Sequence, residues 1–514
     1  MASGAEIRRP TGKPLPHAKV SCNKRTNRPG GGALPELSRR RRYLVLAICC
    51  LSLFIVGLDA TIVNVALPAI GRDFRASVSG LQWTIDAYLL VIASLLMLAG
   101  ATADRVGRRR VFQAGLAVFT IGSLACSLAP GLGWLVAFRA LQAVGGSMLN
   151  PVAMAIVTNT FTEPGERARA IGLWGSVFGL SVALGPVVGG ALVDSVGWRG
   201  VFWMNIPIGI AAVVLTALFV PESRAARGRR PDPFGQMMIF MLLAAVTYAI
   251  IEGPAYGWAS ARILACFAVA AAALAGFAWY EPRRAEPLLD LRFFRSLPFS
   301  GAALTAVTGL AAFAGFLFLI TLYLQDVRGY RPLTAGLFLL PMAVVMAISA
   351  PLAGRMIARR GARVPLLIAG AGITLGGLLL VFLTATSPVW YVLACCVVFG
   401  VGQGWINAPI TNSLVNGMPR SQAGVASSIA STGRQVGSVL GVAVMGSVLA
   451  ANLHGPFAAG FTAATRPGWW IVVGLGIAVT GLALVATSRA GAASAARTAA
   501  LIDGTEDKIQ VRAA

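Results

Sequence analysis

The chain is poor in the residue types that catalysis and metal binding use most. Its 2 histidines, His17 and His454, stand in the N-terminal tail and in a connecting loop, too little material for a histidine metal centre or a catalytic triad. Its lysines are Lys13, Lys19, Lys24 and Lys508, and none stands in the GxxxxGK[ST] setting that cradles nucleotide phosphates, which disfavours an ATP-driven pump. The 7 cysteines, Cys22, Cys49, Cys50, Cys126, Cys266, Cys395 and Cys396, show no metal-ligand spacing, and all but Cys22 fall in apolar runs, where they read as small apolar residues. No metal site and no cofactor are expected. Acidic residues are scarce as well, with 19 Asp and Glu against 43 Lys and Arg, a formal net charge of +24. The segment 1–42 is polar, basic and rich in Pro and Gly, with no apolar stretch leading to a small-residue cleavage site. It reads as a disordered tail without a removable signal peptide.

What the chain has in abundance is apolar length. It is 57% hydrophobic and 12% charged, and the apolar residues gather in runs of the roughly 20 residues that cross a hydrocarbon layer as a helix. Fourteen helices are expected, near 43–70, 80–103, 111–130, 132–157, 168–193, 201–220, 235–251, 261–280, 299–324, 333–353, 364–385, 388–415, 422–450 and 467–487. The connecting segments then alternate sides, and, with the span-end residues Arg169 and Arg262 counted in their adjoining loops, one side holds 34 of the 43 Lys and Arg against 7 on the other, with Arg139 and Arg434 deep inside spans. The positive-inside rule places both termini in the cytoplasm, in a bacterial plasma membrane. Basic loops beside a bilayer attract anionic lipid, so the charge calls for no nucleic-acid partner.

An internal repeat organises these helices. The segment Gly100 to Arg109 (GATADRVGRR) is echoed by Gly354 to Arg363 (GRMIARRGAR), and Trp134 with Asn150-Pro151 is echoed more loosely by Trp390 with Asn407-Ala-Pro409. Each echo holds the same place in a six-helix set, so helices 1–6 correspond to helices 9–14, and helices 7 and 8 are an insertion. The expected division is a basic tail (1–42), an N-terminal six-helix bundle (43–220), a linker with two extra helices (221–298), a C-terminal six-helix bundle (299–487) and a cytoplasmic tail (488–514). Repeated bundles that rock about a midplane cavity are an architecture of alternating access.

Several motifs follow in order: Leu58-Asp59-Ala-Thr61-Ile-Val-Asn64 through Pro68, Gln82-Trp83-Thr-Ile-Asp86-Ala-Tyr88, Gly100 to Arg110, and Arg139-Ala-Leu-Gln142-Ala-Val-Gly145-Gly146. Then come Gly185-Pro186-Val-Val-Gly189-Gly190 and Trp198-Arg199 through Asn205-Ile-Pro207. In this combination, from about residue 43 to 487, the chain resembles the major facilitator superfamily, and within it the fourteen-helix drug:proton antiporters (EmrB-like and QacA-like exporters). Ala143 departs from the family's frequent glycine. The resemblance implies an all-α polytopic membrane protein rather than an enzyme: a multidrug or antibiotic efflux transporter, coupled to protons and working as a monomer on a small amphipathic drug, cationic ones included. A transporter of a natural metabolite is the alternative, ahead of a membrane-embedded enzyme.

The candidate residues follow from charge in an apolar setting. Asp59 and Asp86 lie within the first and second spans, where an ionised carboxylate costs a few kcal/mol and needs a compensation. The resemblance makes them candidates for proton coupling or for attracting a cationic drug, with both assignments open and a helix-orienting role open for Asp86. Arg139, a permanent cation inside helix 4, needs a carboxylate or carbonyl partner, expected on helix 1 with Asp59 the nearest choice. By resemblance, Gly100, Asp104, Arg105, Gly107 and Arg108 form a conformational gate and Gly185, Pro186, Gly189 and Gly190 an antiporter motif. On helix 5, Gly175, Gly179, Ala183, Pro186 and Gly190 make a small-residue face along which backbones can approach. Gln142, Asn150, Arg434 and Gln435 are candidates for the cavity. Ala358, the counterpart of Asp104, lacks the acid, so the second gate is expected to be weaker or differently built.

Overall fold

A backbone inside hydrocarbon must satisfy its own polar groups, and the helix does so within one segment. The structure, a computed structural model, describes residues 38–225, 232–284, 291–416 and 423–513. In chain order the helices are α1 (Arg39–Phe74), α2 (Val78–Val106), α3 (Arg108–Ser127), α4 (Leu132–Thr160), α5 (Pro164–Val196), α6 (Gly200–Trp203), α7 (Asn205–Phe219), α8 (Pro233–Tyr256) and α9 (Ala261–Tyr280). They continue as α10 (Leu297–Leu322), α11 (Pro332–Arg360), α12 (Arg363–Val381), α13 (Val389–Gly404), α14 (Asn407–Asn416), α15 (Ala423–Asn452), α16 (Phe457–Ala486) and α17 (Arg489–Ala513). Among the described residues, fourteen stretches are long and apolar enough to cross a membrane, α6 with α7 and α13 with α14 each counting once.

Local chemistry sets the helix boundaries. Ser77 accepts a hydrogen bond from Gly80 N at 3.2 Å to start α2, Glu163 precedes Pro164 at the start of α5, and Asp232 accepts from Gly235 N at 3.0 Å to start α8. The helices also depart from the sequence expectations in several places. α1 begins at Arg39, so the arginines Arg39 to Arg42 belong to its first turn, while the rest of the expected disordered tail, 1–37, lies outside the described residues. Spans 6 and 12 are broken, at Met204 and at Trp405-Ile406. α16 starts ten residues early, at Phe457, because the small and apolar run FAAGFTAAT already forms helix and Pro467 is carried inside it; bundles tolerate such a proline where neighbours satisfy the freed groups. α12 ends at Val381. The segment expected as a tail after 487 forms the alanine-rich α17, in keeping with alanine's helix propensity.

Two six-helix sets pack around α1 and α10, whose apolar windows are 78% and 72% buried inside the protein, while the α9 window is 17% buried and lies at the periphery. Between the sets, α2 packs on α15 and α5 on α11, and α8 lies against both α2 and α15. On one face of the bundle are the arginine-bearing turns at Gly107 and Gly361; on the opposite face are the α1–α2, α5–α6 and α10–α11 connections.

Candidate functional site

The chemistry gathers inside the first six-helix set. Arg139 on α4 is 1% exposed and Asp59 on α1 is fully buried, and Arg139 Nη1 donates to Asp59 Oδ2 at 2.7 Å. The other carboxylate oxygen accepts from Gln142 Nε2 at 3.0 Å and from Asn205 Nδ2 at 3.2 Å. The guanidinium also donates to Gln142 Oε1 at 2.8 Å and to Thr84 O at 3.3 Å, and it lies 4.0 Å from the centre of the Tyr88 ring. One cation and two amides thus surround the Asp59 carboxylate, the compensation a buried charge requires. Gln142, expected at a cavity, is instead fully buried in this cluster.

Asp86 is equally buried but treated differently. Neither of its carboxylate oxygens has a hydrogen-bond partner among the described residues. It lies one helical turn from Gln82, on the same face of α2. Gln82 Nε2 donates to Val442 O (3.2 Å) and Ala443 O (2.7 Å) of α15, so Asp86 belongs to the seam between the two sets.

The Gly100–Arg108 segment, expected as a gate, bonds within its own half. Gly107 has φ +127°, a conformation that favours glycine, and a Cβ there would stand 2.7 Å from Glu222 Oε1. Asp104 Oδ1 accepts from Arg108 Nε (3.1 Å) and Nη2 (2.8 Å). Glu222 accepts from Arg109 N at 3.2 Å, Arg108 N donates to Ser223 O at 2.9 Å, and Arg109 Nη2 donates to Ala217 O at 2.7 Å. Arg105 is exposed, and Gly100 has its nearest neighbour, Pro151 Cβ, at 3.8 Å from an added Cβ. Asn150 is half-buried on α4, and Arg434 and Gln435 are half-buried on α15, where Arg434 Nη2 donates to Ser431 Oγ at 3.0 Å.

Along α5 the small-residue face is only half used. A Cβ at Gly185 would strike Thr61 and one at Gly189 would stand 2.6 Å from Ile62 Cγ1, so these two seat α5 on α1. Gly190 meets Pro332 and Leu333 of α11, and Pro186 O lies against Gly336. Gly172, Gly175 and Gly179, nearer the arginine-bearing face, have nothing within 4 Å of an added Cβ. The expected continuous contact therefore stops short: α5 meets α11 at Pro186 and Gly190, while Gly172, Gly175 and Gly179 are exposed.

A model of the Major Facilitator Superfamily matches residues 49–442. The chain belongs to the major facilitator superfamily. The multidrug resistance protein Stp of Mycobacterium tuberculosis is 41% identical over 414 residues, 80% of this chain and 77% of that protein. The tetracenomycin C resistance and export protein of Streptomyces glaucescens is 36% identical over 421 residues, 82% and 78% of the two chains. Among solved structures, a D-xylose–proton symporter superposes with a TM-score of 0.63 at 14% sequence identity, covering 86% of this chain and 97% of that one. That likeness is one of fold.

Two groups in this major facilitator chain escaped prediction from the residues. Glu222, which braces the Gly107 turn, lies just past the end of α7, and its only signal is an acid between Pro221 and Ser223 after an apolar span. Asn205 stood within a motif, but its reach to Asp59 follows from the break at Met204, which starts α7 beside α3 and lets Nδ2 also meet Ser123 Oγ at 3.1 Å.

Proposed function

We propose that this protein is an efflux transporter that exchanges small amphipathic drugs or antibiotics, cationic ones included, for protons by alternating access between its two six-helix sets. The observation that carries the reading is the pair of fully buried acids, Asp59 neutralised by Arg139 and Asp86 without a partner. The named drug-export relatives at 36–41% identity support the substrate class. An unpaired carboxylate away from water is costly when ionised, so Asp86 is the group that gains most from taking a proton. Asp59 is engaged by a guanidinium and two amides from α4 and α7, so it serves to hold α1, α4 and α7 in register.

The positive-inside rule assigns the arginine-bearing face to the cytoplasm, with both termini there, in the plasma membrane of a bacterium. The exposed glycines Gly175 and Gly179 then lie toward the cytoplasm, the side from which an exporter loads. Basic side chains on that face contact anionic lipid, and the protein works as a monomer with protons as its coupling ion and no cofactor. Each proton entering down a potential supplies about 2.3 kcal/mol per 100 mV.

The test is proton movement in proteoliposomes holding the purified protein and a trapped pH-sensitive dye, driven by a cationic dye such as ethidium. Wild-type protein is expected to move protons when ethidium is added. Asp86→Asn is expected to abolish that movement while ethidium binding persists, and Asp59→Asn to impair both. Normal coupling in both variants would overturn the assignment, and no proton movement with any amphipathic drug would overturn the antiport reading.

A further inference from the structure

We infer that Asp194 is a gate residue, which caps a helix of the other six-helix set and so holds the face opposite the arginine-bearing turns shut. The first turn of α11 cannot cap itself. Its N-cap residue is Arg331, which makes no side-chain capping bond and, as a guanidinium, has no acceptor to offer; Pro332 follows without an N–H. The first available donor is Leu333 N, and it donates to Asp194 Oδ2, on α5 of the other set, at 3.1 Å. Arg331 Nε stands 3.8 Å from the second oxygen, and a carboxylate at a helix N-terminus is favourably placed against the helix dipole. The approach depends on glycine: Gly190, one turn before Asp194, lies against the backbone of Pro332 and Leu333.

Other contacts join the two sets on the same face. The π-turn Tyr323–Val327 after α10 sends Gln325 Nε2 to Val65 O at 2.9 Å and places Asp326 Oδ1 3.1 Å from Arg72 Nη1. On the far side of the interface Gln82 reaches the carbonyls of Val442 and Ala443. When the sets part on this face, Asp194 and Leu333 N separate, and nothing in α11's own first residues replaces the cap. The cap therefore belongs to one conformation and biases the equilibrium by its differential contribution. Loss of an N-cap shifts such a balance by roughly three- to thirtyfold.

This inference rests on alternating access between the two sets and on neither the drug nor the coupling ion. The experiment is hydrogen–deuterium exchange of the full chain in nanodiscs, at fixed pH and without drug or gradient. Asp194→Ala is expected to raise exchange about three- to thirtyfold at 333–336 and also at the distant gate segments 323–327 and 442–446. Asp194→Asn, which keeps an acceptor, is expected to restore most of the protection. Arg331→Ser supplies α11 with its own cap, keeps the helix folded in both conformations and is expected to loosen 323–327 and 442–446 while leaving 333–336 protected. A rise confined to 333–336 in Asp194→Ala, or no change at the distant segments in Arg331→Ser, would overturn the inference. Either result would leave the proteoliposome test of drug:proton exchange standing.

Discussion

The two six-helix sets share a repeat but carry different chemistry. Arg139 lies five residues beyond Trp134, and the same step beyond Trp390 reaches Cys395, which is fully buried. The first set thus buries a cation with Asp59, Gln142 and Asn205 around it, while the second fills the matching place with a small apolar side chain. Among the described residues of the two sets, the fully buried charges Asp59, Asp86 and Arg139 all belong to the first. The repeated turns differ in the same sense: Gly107 is wedged against Glu222, whereas Gly361, with φ +73°, has nothing within 4 Å of an added Cβ. Duplication preserves a scaffold because packing needs only apolar volume, while a buried ion pair needs every partner in place.

The largest test of that contrast is Arg139→Leu, which strands Asp59 in the interior. It is expected to cost about 3–5 kcal/mol, read as a drop in the thermal unfolding midpoint, whereas the double variant with Asp59→Asn recovers most of the loss. Cys395→Leu in the second set has no charge to strand and tests only volume. If the single and double variants at 139 and 59 unfold alike, the pair is not what holds the first set.

A smaller effect separates the turns. Gly107→Ala meets both a strained backbone and the Glu222 carboxylate and is expected to cost about 1–3 kcal/mol, against about 1 for Gly361→Ala, which meets strain alone. Equal losses in thermal stability would mean that Glu222 moves aside freely. The smallest effect concerns the pair Asp104–Arg108, absent at the corresponding Ala358 and Ala362. Installing Ala358→Asp with Ala362→Arg is expected to gain roughly 0.2–0.5 kcal/mol, and Arg108→Ala to lose a similar amount, both lessened by salt.

The residues alone located the spans closely wherever an apolar run was bounded by charge, as at Arg105 and Arg108, and less well at 457–466, where Arg466-Pro467 imitates a loop inside a helix. They also marked Asp59 and Arg139 as groups that must find partners, since a charge in hydrocarbon has few ways to persist. Their meeting at 2.7 Å, the inclusion of Gln142 and Asn205 and the isolation of Asp86 depend on how α1, α2, α4 and α7 rotate against one another.

What the sequence by itself determined is the membrane solution: fourteen apolar helices, their paired halves and the side that bears arginine. These follow from composition and period, which act within a segment and need no knowledge of its neighbours. Only the tertiary structure decided which half of the α5 glycine face is in contact, that Glu222 braces the Gly107 turn, and that Asp194 caps a helix of the opposite set. Each of these is a meeting of residues more than a hundred positions apart, set by helix tilt and rotation, and no local pattern encodes that.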